Sequence, residues 1–93
     1  MRLKFYTLKE LLIFNIKYYR YLNKFSQETL AEKCNLSSRY ITDIERGLHC
    51  PTIDKIELIA KAFNLEPFEL FQNNDRDKDV VNKMNKTRQY HQP

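Results

Sequence analysis

Apolar residues recur along the first two thirds of the chain at spacings of three and four, the period of amphipathic helices. Thr7-Leu8-Lys9-Glu10 opens the first stretch as a capping box, in which the Thr hydroxyl accepts from the amide three residues on and Glu10 reaches back. Leu8, Leu11, Leu12, Ile16, Tyr19 and Leu22 then fall on one helical stripe that runs to about Asn23. Phe14, Tyr18 and Tyr21 form a second stripe, so this helix is apolar over more of its surface than one contact face needs. Ser26 caps a second helix, Gln27 to Cys34, with Leu30, Ala31 and Cys34 inward, and Asn35 follows as a left-handed stop. Ser37 caps a third, Ser38 to about Arg46, with Ile41 and Ile44 inward and Gly47 ending it. Thr52 caps a fourth carrying Ile53, Ile56, Ile59, Ala60 and Phe63, with Asn64 as its stop. Pro67 suits the first turn of a short fifth helix ending near Phe71.

After Gln72 the pattern fades. Residues 72–93 are mostly Asn, Asp, Lys, Gln and Arg, with Val80, Val81, Met84 and Tyr90 the exceptions. This tail reads as disordered. The alternative is one weak sixth helix that lays Val80, Val81 and Met84 against the aromatic side of the first. Strict two-residue alternation is absent, except over Arg2 to Tyr6, which is too short to decide. The fold class that follows is all-α.

A length of 93 residues predicts one domain and leaves no room for a catalytic domain beside a regulatory one. The longest apolar run, Leu11 to Phe14, is far short of the ~20 residues of a membrane span, and no secretory leader is visible. A single glycine excludes a Gly-rich phosphate cradle. Two cysteines, Cys34 and Cys50, make no disulfide framework, which fits a reducing cytoplasm. Together with His49 and His91 their spacing matches no zinc pattern, so no metal or other cofactor is expected. His49-Cys50 lacks the orienting third group that a nucleophile needs. No paired acid and base stands out, and an enzyme is not expected. The net charge is +4, concentrated in residues 1–33, while residues 34–71 are net acidic and residues 72–93 net basic. Any polyanion surface would draw on Arg2, Lys4, Lys17, Lys24 and Lys33, or on the tail.

The distinctive element is the joint between the second and third helices. Ala31 is small where the two would cross, Asn35 tolerates positive φ, and Ile41 and Ile44 fill the groove behind the third helix. Arg39 presents a forked donor set that matches the guanine edge. Thr42 offers a hydroxyl or a methyl, and Asp43 can accept from cytosine or instead orient Arg39, four residues before it.

The run Ser26-Gln27-Glu28-Thr29-Leu30-Ala31, then Ser37 through Gly47, Pro51-Thr52, Ile59 through Leu65 and Glu69-Leu70-Phe71, resembles the phage repressor/Cro-type helix-turn-helix family, also called the xenobiotic-response-element family. The resemblance covers about residues 12–71. It implies a compact, five-helix, lambda-repressor-like DNA-binding domain over residues 7–71, with an extended first helix, an arm over 1–6 and a polar tail over 72–93. By position it implies base reading by Ser38, Arg39, Thr42 and Asp43, and phosphate contacts by Gln27, Ser37, Tyr40 and Arg46. It also implies an ion pair between Arg20 and Glu45. Lys24, Asn35 and Asn64 stand where the family often has glycine. The expected function is a sequence-specific regulator that binds double-stranded DNA as a homodimer on a palindrome, with Phe14, Tyr18, Phe68, Leu70 and Phe71 as candidate dimer contacts. The alternative is a protein-interaction module, such as an antitoxin, that keeps the fold but binds a partner through the aromatic first helix or the tail.

Overall fold

The computed structural model describes residues 3–90, and the side chains of residues 3–86. Arg2, named above as a source of positive charge, and His91, weighed as a metal ligand, lie outside the described residues. The elements are α1 (Leu8–Leu22), α2 (Gln27–Cys34), α3 (Ser38–Glu45), α4 (Ile53–Ala62), a 3-10 helix (Pro67–Phe71) and α5 (Lys78–Tyr90), with no strand among the described residues.

Each of the four leading helices starts at a hydroxyl cap. Thr7, Ser26, Ser37 and Thr52 accept from the backbone N–H of Glu10, Thr29, Tyr40 and Lys55 respectively. Glu10 reaches one residue further back than a capping box requires, accepting from the Tyr6 N–H at 3.0 Å. The stops are left-handed residues: Asn35 at φ 57°, Asn64 at 58° and Gly47 at 80°. Lys24, at φ 60°, takes the same conformation with no such intrinsic tolerance. It does so because the Phe25 N–H must turn back to the Arg20 carbonyl to close α1.

The main core gathers Leu12 and Ile16 of α1, Leu30, Ala31 and Cys34 of α2, Ile41 and Ile44 of α3, Ile56, Ile59, Ala60 and Phe63 around α4, and Leu70. Ile53 is left out: at the first turn of α4 it is 75% exposed, because the core-facing stripe begins one turn later at Ile56.

Of the two readings of the tail, residues 78–90 take the helical one. Lys78–Tyr90 is helical and closes a second, smaller core in which Val81 and Met84 bury Tyr18, with Phe14, Tyr19, Tyr21 and Val80 packed around them. What fixes this helix is a polar latch in the preceding linker. The Asn15 amide donates to the carbonyls of Leu70 (2.8 Å) and Gln72 (3.0 Å), and its oxygen accepts from the Arg76 guanidinium. Arg76 also donates to the carbonyls of Gln72 and Asn74, and its guanidinium lies 5.5 and 5.4 Å from the ring centroids of Phe14 and Tyr18. Burial pulls the Arg76 pKa below the ordinary arginine value. The Tyr18 hydroxyl accepts from the Asp77 N–H at 2.8 Å, and Asp77 in turn caps α5 by accepting from Asp79 and Val80. Asn73 ties the N-terminal arm to this linker by donating to the Leu3 carbonyl.

Candidate nucleic-acid interface

The joint between α2 and α3 is built as its residue types require. Ala31 is 3% exposed at the crossing, and the Leu36 N–H returns to the Ala31 carbonyl at 2.9 Å across the left-handed Asn35. Ile41 and Ile44 are fully buried, so α3 is seated by one face and presents the other. Ser38 and Arg39 are exposed on that face and Thr42 is half-buried. The Arg39 side chain is 84% exposed, so its donors are offered outward.

Behind α3 runs a charged chain that sequence reasoning only half anticipated. Arg20 grips Glu45 through two contacts, Nε to Oε2 at 2.6 Å and Nη2 to Oε1 at 2.9 Å. Their side chains are 10% and 4% exposed. Burial lowers the Arg20 pKa, but the hydrogen bond and charge of Glu45 outweigh it and hold the value above the arginine norm. Arg20 also donates to the Phe25 carbonyl, and its guanidinium lies 4.7 Å from the Tyr21 ring. Gln27 extends the chain: its Nε2 donates to Glu45 Oε1 at 3.1 Å and its Oε1 accepts from the Thr42 hydroxyl at 2.8 Å. Arg20, Glu45, Gln27 and Thr42 therefore form one continuous link from α1 to the outward side of α3. Nothing about a glutamine at the first position of a helix marks it in the sequence as such a bridge.

The remaining site residues separate. The Ser37 hydroxyl is engaged in capping Tyr40 but keeps its own proton to donate. Arg46 is exposed just past the end of α3. Tyr40 is half-buried beside His49, with ring centroids 6.0 Å apart and planes 20° from parallel, and the Lys55 ammonium lies 5.6 Å from its ring. Desolvation raises the Tyr40 pKa, with Cys50 adding to the effect, so its hydroxyl stays a neutral donor. Asp43 is held beside the protein's own basic groups. The residue is 9% exposed and lies between Arg39, with Oδ1 3.5 Å from Nε, and His49, with Oδ2 3.6 Å from Nε2. This placement lets it orient Arg39, the second of the two roles weighed for it. His49 and Lys55 are the site neighbours that the helical pattern missed, since both lie outside the second and third helices.

The candidate dimer residues also divide. Leu70 is fully buried and Tyr18 is 6% exposed, so neither is available to a second copy. Leu70 belongs to the main core, and α5 covers Tyr18. Phe14 and Phe71 are partly buried against the two cores, and Phe68 remains 61% exposed. Among the described residues, no group of three or more His, Cys, Asp or Glu could hold a metal ion. Nor is any helix among them long and apolar enough to cross a membrane.

Comparison with known proteins agrees with this geometry. Residues 16–70 match the family model described as Helix-turn-helix. Control protein C.BamHI of Bacillus amyloliquefaciens is 49% identical over 45 residues, which is 48% of this chain and 56% of that protein. The match thus spans little more than half the length of that relative. Control protein C.SmaI of Serratia marcescens is 40% identical over 60 residues, 64% of this chain and 71% of that protein. Among solved structures, the restriction-modification controller protein C.Esp1396I superposes with a TM-score of 0.65 at 30% identity, covering 88% of this chain and 99% of that one.

Proposed function

The chain belongs to the helix-turn-helix family, and on that premise we propose that it is a transcriptional regulator that binds double-stranded DNA as a homodimer and reads a palindrome with α3. The observation that carries this reading is the outward Arg39 on a helix whose opposite face is fully buried and whose end is tied to α1 by Glu45. A recognition helix must be held rigidly by its back so that its front can be read against a base edge. Ser38, Arg39 and Thr42 are the proposed base-facing residues. Ser37, Tyr40 and Arg46 flank them as phosphate partners, with the N-terminus of α2 adding free amides. Gln27 is assigned to the same phosphate ridge, and its present bonds to Glu45 and Thr42 fix where its amide stands. The likeness to control proteins supports this reading, and of the candidate dimer contacts Phe68 is the most exposed. The alternative, a partner-binding module using the aromatic side of α1 or the tail, loses the first of these surfaces to α5.

The direct test is Arg39→Ala. A bidentate contact to guanine discriminates by about 1–3 kcal/mol, so fluorescence anisotropy should show affinity for a selected duplex falling roughly tenfold to a hundredfold. Binding to random duplex should change far less, and circular dichroism should be unaltered. Equal losses on selected and random DNA would count against base reading by α3.

A further inference from the structure

Building on the DNA-binding reading above, we propose that Thr42 meets DNA as a hydrogen-bond acceptor and not as a donor. It would then select an amino base, adenine or cytosine, at one position of each half-site. The direction of its proton follows from the chain of bonds behind α3. A guanidinium carries donors and no acceptor. Arg20 turns Nε to Glu45 Oε2 and Nη2 to Oε1, so both carboxylate oxygens accept. Glu45 Oε1 also faces the Gln27 amide at 3.1 Å, and only the Nε2 end of that amide can meet it. The reverse orientation would set oxygen against oxygen, and an amide's direction is decided by its partners. With Nε2 committed inward, Gln27 Oε1 is the atom left for Thr42, 2.8 Å from its hydroxyl. An amide oxygen has no proton to give, so Thr42 donates.

The same hydroxyl lies 3.0 Å from the Ser38 carbonyl, a second acceptor. A hydroxyl has one proton and two lone pairs. Among the described residues both hydrogen-bond neighbours of Thr42 Oγ1 are acceptors, and they claim that proton. A lone pair and the γ-methyl are what this half-buried side chain keeps for a ligand. Turning the proton toward DNA would leave Gln27 Oε1 without its donor. Ser37 is built the opposite way: its hydroxyl accepts from the Tyr40 N–H and keeps its proton for an acceptor such as a phosphate oxygen. In the major groove the donors are adenine N6 and cytosine N4, whereas guanine N7 and O6 and thymine O4 accept. A lone pair on Thr42 matches the first two and opposes the others. The γ-methyl would instead favour thymine, through its own methyl group.

The test is selection from a randomised duplex library with the full chain as wild type, Thr42→Ser and Thr42→Val. Serine keeps the hydroxyl and loses the methyl, whereas valine keeps the methyl and loses the hydroxyl. Wild type and Thr42→Ser should enrich adenine or cytosine at one position of each half-site, and Thr42→Val should lose the preference at that position alone. Anisotropy then uses the selected duplex with that base replaced by its analogue lacking the exocyclic amino group. Wild-type affinity should fall about threefold to tenfold, the scale of one hydrogen bond, and Thr42→Val affinity should hardly change. Circular dichroism checks the fold, and Thr42→Ala, which differs from Thr42→Ser only in the hydroxyl, takes the place of Thr42→Val if valine is not tolerated. Guanine or thymine at the position that responds to Thr42 would overturn the proposal. So would a preference kept by Thr42→Val and lost by Thr42→Ser, which would assign it to the methyl, or a Thr42→Val motif identical to that of wild type. A folded wild type that enriches no motif would overturn the DNA-binding reading itself, and this proposal with it.

Discussion

Single residues in this chain show how far a side chain's type specifies its surroundings. Cys34 reads in sequence as a small core residue, and it is 2% exposed at the inner end of α2. Burial pushes its thiol from 9.0 up to about 11. The unfolded chain ionises that thiol near its ordinary value, so the stabilisation is complete below pH 9 and is lost as pH rises toward 11. At ~1.4 kcal/mol per unit, about 2–3 kcal/mol of stability should disappear over that interval. Urea titrations at pH 8 and pH 10.5 should show this fall in wild type and a smaller one in Cys34→Ala; equal falls would contradict the assignment. Asp43 shows the limit of residue type. Its place four residues after Arg39 admits both a base contact and an orienting role, and the approach of His49 from the next loop gives it a second basic neighbour. That approach joins residues six apart across a turn, and helical periodicity carries no information about it.

At the scale of elements, the four caps and the Asn stops were legible because each satisfies orphan backbone groups with a residue type suited to little else. The helix-turn-helix itself was legible for the same reason. The link across its back is an energetic matter. Removing one partner of the Arg20–Glu45 pair leaves a buried charge uncompensated, so Glu45→Ala should cost about 3–5 kcal/mol. A melting curve that drops only slightly would show the pair to be solvated. α5 is legible only as the second of two readings, because its polar composition leaves a short apolar strip whose partner, Tyr18, is distant in the chain. Met84 is 4% exposed against Tyr18, and truncation to Ala should cost about 2 kcal/mol, at the low end for core methionine because this core is small. Amide exchange should show residues 78–86 losing protection in that variant before α2 and α3 do. Simultaneous loss would mean that the two cores unfold as one unit.

The described residues span 29 × 29 × 23 Å, less than the ~34 Å that separates consecutive major-groove faces on one side of a duplex. Under the proposed reading one copy would reach one half-site, and a second copy would be needed for the half-site a helical turn away. Covering the aromatic side of α1 with the chain's own α5 leaves Phe68 as an exposed aromatic for such pairing. The modest positive charge adds attraction that salt should weaken steeply. These features make the reading of a two-fold DNA site by α3 the central claim. Its most direct test is selection from a randomised duplex library at about 150 mM salt, near physiological screening, with wild type and Arg39→Ala in parallel. The account predicts an enriched palindrome with wild type, its half-sites about one turn apart, and no such enrichment with Arg39→Ala. A folded wild type that enriches no motif, or an Arg39→Ala variant that enriches the same one, would contradict it.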